Sequence, residues 1–215
     1  MSEYMNLTIA EKFLVLILKS ESPTYKVSEM QRNAGIIAGI LLDLQAQEHI
    51  TFRDKKIQVL NPVTQLTPIH QQVLDLLAAS SKERKLSIWF FKLNNRIRNY
   101  RLDLLEHLKT KNFVKIEQKK TWFVKYKNAY LLKEREQQQL AHNLKQSVNQ
   151  RYPDDESLVS LLILVAMGRM YKLIAEDKSQ VKGLKQTLKD RFADHLLYKE
   201  LEKNYRNLEA AASAA

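Results

Sequence analysis

Cysteine is absent from the chain, which excludes disulfides, thiolate zinc sites and thiol catalysis, and suits a reducing compartment. Glycine and proline are scarce, four of each, which argues against a turn-rich β-sandwich or a glycine-looped nucleotide fold. Long continuous apolar runs are also missing. The greasiest, residues 158–167, spans ten residues, half of what crosses a bilayer, and predicts a buried core helix. The apolar stretch 7–18 is interrupted by Glu11 and Lys12, and no small-residue cleavage site follows it, so it does not read as a secretory signal. The five histidines (His49, His70, His107, His142, His195) show no HExxH spacing, and no glycine-rich phosphate loop or nucleophile elbow occurs. Asp154-Asp155-Glu156 reads as a helix N-terminal cap, not a catalytic dyad. These absences point to a binding protein that is not an enzyme and uses no cofactor or metal.

What is present favours helices. Apolar residues make up 45% of the 215, enough for a real core, and Leu, Ile, Lys and Gln dominate long stretches. Thr8 followed by Glu11 is a capping-box pattern that opens a first helix, closed by Pro23. Helical spacing continues over residues 27–47, and Thr67-Pro68 opens another helix. Residues 86–110 predict one long helix, 134–150 a polar one, 156–176 the buried one and 181–205 a charged amphipathic one. Two hairpins are expected: 49–52 with 56–60, and 113–116 with 121–126 around a Glu117-to-Lys120 turn. The fold class is therefore mainly α, a single compact helical domain over residues 1–209 with two or three β-hairpins. Residues 210–215 read as a low-complexity tail or cloning remnant. Leu44, Ile50, Phe52 and Lys55-Lys56 recur 64 residues later as Leu108, Val114, Ile116 and Lys119-Lys120, which suggests two related helix–hairpin units.

Charge is unevenly placed. Residues 82–127 carry fourteen Lys/Arg and four Asp/Glu, a net +10 of the chain's +11. Confined to so short a stretch, this charge suggests a face for a polyanion, either a lipid headgroup or a nucleic acid. On a helical wheel of residues 86–110, Leu86, Phe90, Leu93, Ile97, Leu104 and Leu108 form the core stripe. Asn94, Arg98 and Arg101 fall together on one shoulder, where two guanidinium forks and an amide can present donors to one phosphate. Lys92, Lys119 and Lys120 add long-range attraction.

Four collinear segments carry a resemblance. They are Leu7-Thr8-Ile9-Ala10-Glu11, the stretch Gly35-Ile36-Ile37-Ala38-Gly39-Ile40-Leu41-Leu42-Asp43-Leu44, Ile97-Arg98-Asn99-Tyr100-Arg101-Leu102 with its hairpin, and residues 158–172. Together, over about residues 7–192, they resemble the Golgi phosphoprotein 3 family of peripheral membrane proteins that bind phosphatidylinositol 4-phosphate. The resemblance implies one mostly helical domain, no catalysis, and a headgroup pocket on a basic face. The family's Arg-Asn-x-Arg phosphate contacts fall on Arg98 and Arg101. The family's pocket tryptophan and a further pocket arginine are replaced by Ser28 and Ile37, with Lys26 and Arg32 as candidate substitutes. The expected function is reversible peripheral binding to anionic membranes by recognition of a phosphoinositide headgroup, similar to phosphatidylinositol 4-phosphate, on the basic face. Because half of the pocket departs from the family, anionic phospholipid headgroups in general are the alternative ligand. The second hairpin, with Trp122-Phe123-Val124, matches the one linked to homo-oligomer formation and membrane insertion; packing of Trp122 and Phe123 on the domain body is the alternative. Only six residues precede Leu7, so the family's basic N-terminal extension is not expected, and these departures fit a distant or prokaryotic-type member. The expected location is cytoplasmic, peripheral on a membrane surface.

A second reading is a winged-helix-like nucleic-acid-binding protein. Its basic hairpin ends, Arg53-Asp54-Lys55-Lys56 and Gln118-Lys119-Lys120, and a helix bearing Lys92, Arg96, Arg98 and Arg101, could follow phosphates.

Overall fold

The computed structural model describes residues 2–60, 66–120, 122, 125–150 and 155–213. At its centre lies α1 (Ile9–Ile17), all nine residues of which are buried. Thr8 opens it with the expected capping box: its side chain accepts from the Glu11 backbone, and the Glu11 carboxylate accepts from Thr8 N at 2.9 Å. Helix α2 (Glu29–Ala46) begins in the same way at Ser28, with Gln31 as the reciprocal partner. These two helices approach closely because α2 presents glycine where they meet. A Cβ on Gly39 would lie 2.9 Å from Ala10 Cα, and one on Gly35 only 2.1 Å from Phe13 Cζ. The Phe13 ring is fully buried and has little room to yield. Gly35→Ala is therefore expected to destabilise by about 1–3 kcal/mol through overpacking. Urea unfolding should show part of that loss restored in Gly35→Ala/Phe13→Leu.

Side chains from distant elements serve both ends of α1. Asp43 of α2 accepts from Ile9 N (2.6 Å) and Ala10 N (3.1 Å), two donors that a first helical turn leaves free. Its Oδ2 also meets His70 Nε2 at 3.0 Å, and His70 Nδ1 in turn meets the Thr67 hydroxyl. Thr67 thereby serves as N-cap of α3 (Pro68–Ala78) with its side chain turned to a ring and not to the helix backbone. At the other end, Gln137 on α6 (Glu134–Gln146) donates its amide to the carbonyls of Val15, Leu16 (3.2 Å) and Leu18 (2.8 Å). Buried Lys12 crosses to Asp155 at 2.9 Å, at the N-cap of α7 (Glu156–Met167). Asp155 is the cap that the sequence pattern indicated, and the Lys12 ammonium beside it helps hold its carboxyl below the usual value against the effect of burial.

Two small antiparallel sheets flank the helices. Strands β1 (Ile50–Arg53) and β2 (Lys56–Val59) pair as expected, with Phe52 opposite Ile57, and short β3 (Arg84–Lys85) adds to β2. Asp54 and Lys55 both take positive φ, the conformation that matches a two-residue turn to strand twist. The second hairpin is β4 (Val114–Lys120) with β5 (Lys125–Leu131), its register closing at Lys120 opposite Lys125. Residues 117–120, expected as the turn, are therefore paired strand. Polarity misplaced the turn because most of the strand residues from 115 to 120 are solvated, so a polar run there marks an exposed strand as readily as a loop.

Three helices expected as single are interrupted. Residues 86–110 form α4 (Leu86–Asn94) and α5 (Ile97–Thr110), broken at Asn95-Arg96. Residues 181–205 belong to α8 (Lys178–Arg191) and α9 (Leu196–Ser213), broken over residues 192–195. The helix expected over 156–176 stops at Met167, where Arg169 takes φ 53°, and a 3-10 turn follows at Tyr171–Leu173. In each case the apolar pattern runs on through the break and hides it. Helix α9 also continues into the alanine-rich stretch that reads as tail, as alanine's helix propensity favours.

The 64-residue echo has a structural counterpart. Both α2 and α5 end in a left-handed residue, Glu48 and Asn112, each at φ 58°. The next amide then reaches back to Leu44 O or Leu108 O at 2.9 Å before a hairpin begins.

Candidate functional site

The structure divides the basic segment into two parts. Beyond α5's first turns its cations are largely compensated. Glu106 takes Lys127 (2.7 Å) and Lys109 (3.6 Å), Glu117 takes Lys115 (2.7 Å) and Lys119 (3.2 Å), and buried Glu11 takes Lys111 (2.8 Å). The hydrogen bond from Lys127, joined by its charge, holds the Glu106 carboxyl below its usual value. Before that point lie Lys82, Arg84, Lys85, Lys92, Arg96, Arg98 and Arg101 against a single acid, Glu83. Among the described residues, none of these seven cations forms an ion pair. Positive potential is therefore concentrated on α4, the break and the start of α5.

Arg98 lies exposed in the first turn of α5, and Arg101 is half-buried one turn further along. The helix break changes their setting, because Arg98, expected mid-helix, stands instead in the first turn at a helix's positive end. It also separates Asn94, the last residue of α4, from the shoulder on which the wheel placed it. Lys92 is half-buried with its ammonium 5.0 Å over the Trp89 ring. At the hairpin, Lys119 is engaged by Glu117, Lys120 is exposed at the end of β4, and Trp122 is 92% exposed, so it does not pack on the body. Phe123 lies outside the described residues.

Helix α2 contributes a further arginine to this region. The Arg32 guanidinium lies 4.6 Å over the Tyr25 ring, held by Glu29 (3.1 Å) and Asn33 (3.3 Å), with its side chain only 12% exposed. Burial, and then the charge of Arg101, push Arg32 below the usual guanidinium value. Burial raises the Tyr25 hydroxyl, and Arg101 and Arg32 oppose that rise. Arg32, Tyr25 and Arg101 thus form one electrostatic cluster across the α2–α5 seam. The other candidate substitute, Lys26, points away and donates to Gln137 Oε1 at 2.7 Å. Ser28 is committed to capping α2, and Ile37 is in the core. Tyr25 also lines an open cleft of about 410 Å³ past the start of α2, together with Lys26, Ser28, Gln31, Arg169 and Lys172. Sequence reasoning did not single out Tyr25, because the contact depends on how α2 meets α5 and has no local pattern.

The family model for Golgi phosphoprotein 3 (GPP34) matches residues 9–208. The chain belongs to the Golgi phosphoprotein 3 family. Among curated proteins, none matches it. In this Golgi phosphoprotein 3 family member, no described helix is long and apolar enough to cross a membrane. The mainly helical fold with two small sheets agrees with the sequence reading.

Proposed function

We propose that this chain binds reversibly to anionic membrane surfaces by gripping a phosphorylated headgroup on the α4–α5 face. Arg98 and Arg101 act as the phosphate ligands, Arg32 lends the third guanidinium, and the remaining cations attract the surface at longer range. The observation that carries this reading is the group of seven cations that, among the described residues, form no ion pair around the α4–α5 break, with the charge of Arg101 felt at Arg32. Like charges held together in this way gain from a bridging anion. Each cation near an anionic leaflet contributes about 1 kcal/mol, so even half of them would support recruitment without permanent anchoring. The protein acts as a cytoplasmic, peripheral binding module and not as a catalyst. The β4–β5 arm, with Trp122 exposed at its end, is the place for self-association or a second membrane contact. A nucleic-acid reading loses its recognition helix, because Lys92 and Arg98 stand on different helices.

Vesicle sedimentation tests the proposal. Arg98→Ala/Arg101→Ala is expected to weaken binding to vesicles containing phosphatidylinositol 4-phosphate by about 2 kcal/mol, or about thirtyfold. Its thermal unfolding should stay close to the parent's, since neither side chain is in the core. Unchanged sedimentation would overturn the assignment. Phosphatidylserine vesicles of matched charge distinguish headgroup recognition from general attraction.

A further inference from the structure

Helix α4 has two unlike edges. Leu86, Trp89, Phe90 and Leu93 are buried, while Ile88 (41% exposed) and Phe91 (68% exposed) stand one turn apart on the opposite side. Single exposed apolar residues are ordinary, but this pair sits among cations. Lys85 precedes the helix, Lys92 lies within it, and Arg96 and Arg98 follow it; α4 itself contains no acid. The acid nearest in sequence, Glu83, accepts from Gln58. Large apolar side chains flanked by basic ones, on a helix packed to the body by its other edge, match an element that lies in the plane of a membrane interface.

We propose that α4 is a membrane wedge. Ile88 and Phe91 enter between lipid headgroups while Lys85, Arg96 and Arg98 meet the phosphates around them. This rests on the headgroup reading above and extends it by assigning the apolar contact to α4 in addition to any made by the hairpin. Charge complementarity selects the occupant. A second copy of the same face would bring like charges together and is disfavoured, whereas an anionic bilayer offers both the charge and the apolar interior.

The chain has no cysteine, so Phe91→Cys can be labelled at that position alone with an environment-sensitive nitrobenzoxadiazole dye. On vesicles of phosphatidylserine and phosphatidylcholine with brominated acyl chains, the dye is expected to shift to the blue and be quenched. Ile88→Ser/Phe91→Ser should weaken sedimentation with unbrominated vesicles at least fivefold, with an unchanged unfolding midpoint. A dye that remains in water while sedimentation still depends on Arg98 and Arg101 would overturn the wedge and leave the headgroup reading standing. Failure of the parent protein to bind either these vesicles or vesicles containing phosphatidylinositol 4-phosphate would overturn both. Concentration-dependent dimerisation abolished by the serine variant, without quenching, would assign the face to self-association and overturn the wedge.

Discussion

Asp43→Ala should lower the unfolding free energy by about 3–5 kcal/mol, a large fraction of a typical domain's ~5–15 kcal/mol. The carboxylate is buried and accepts two backbone N–H bonds from α1 as well as the His70 contact. Alanine would leave both amides and a ring nitrogen in the interior without their partner, and a buried donor left unmade costs far more than the bond gained in forming it. Asp43→Asn keeps one acceptor oxygen and should lose about half as much. Urea titration checks this through a drop in midpoint at constant slope. A change under about 1 kcal/mol for the alanine variant would mean that α1 does not depend on this cap.

The second large effect is expected at Gln137. Its amide donates to three carbonyls at the end of α1, while its oxygen accepts from Lys26. Leucine is close in shape but offers no donor, so Gln137→Leu should cost about 2–4 kcal/mol through the stranded carbonyls. Lys26→Met removes only the outer partner and is expected to cost under about 1 kcal/mol. Equal effects from the two substitutions would show that the lysine, and not the carbonyls, sets the energetics.

Neither residue drew attention in the sequence, for a physical reason. Asp43 sits in an apolar helical pattern and Gln137 in a polar one, and each matters only where a remote helix end arrives. Local signals transferred well. The Thr8–Glu11 box, the Asp155 cap and the first hairpin depend on neighbouring residues alone and appear as expected. The core stripe of residues 86–110 was also legible, with Leu86, Phe90, Leu93, Leu104 and Leu108 buried. The Asn95-Arg96 break was not, since an apolar period survives a short interruption that keeps both halves on the core. The candidate site was half legible. Arg98 and Arg101 stand together on α5, but Asn94 is on another helix, Lys119 is engaged by Glu117, and Arg32 and Tyr25 reach the cluster through tertiary packing.

The enclosed first helix has a consequence for biosynthesis. Its carbonyls wait for a glutamine 122 residues downstream and its lysine for an aspartate 143 residues downstream. At translation rates of about 5–20 residues per second, the first interval alone lasts roughly 6–24 seconds. Throughout it the nascent chain carries a greasy segment with no finished socket, so holdase capture at the ribosome exit should fall on residues 9–18 and be released once α6 and α7 have emerged.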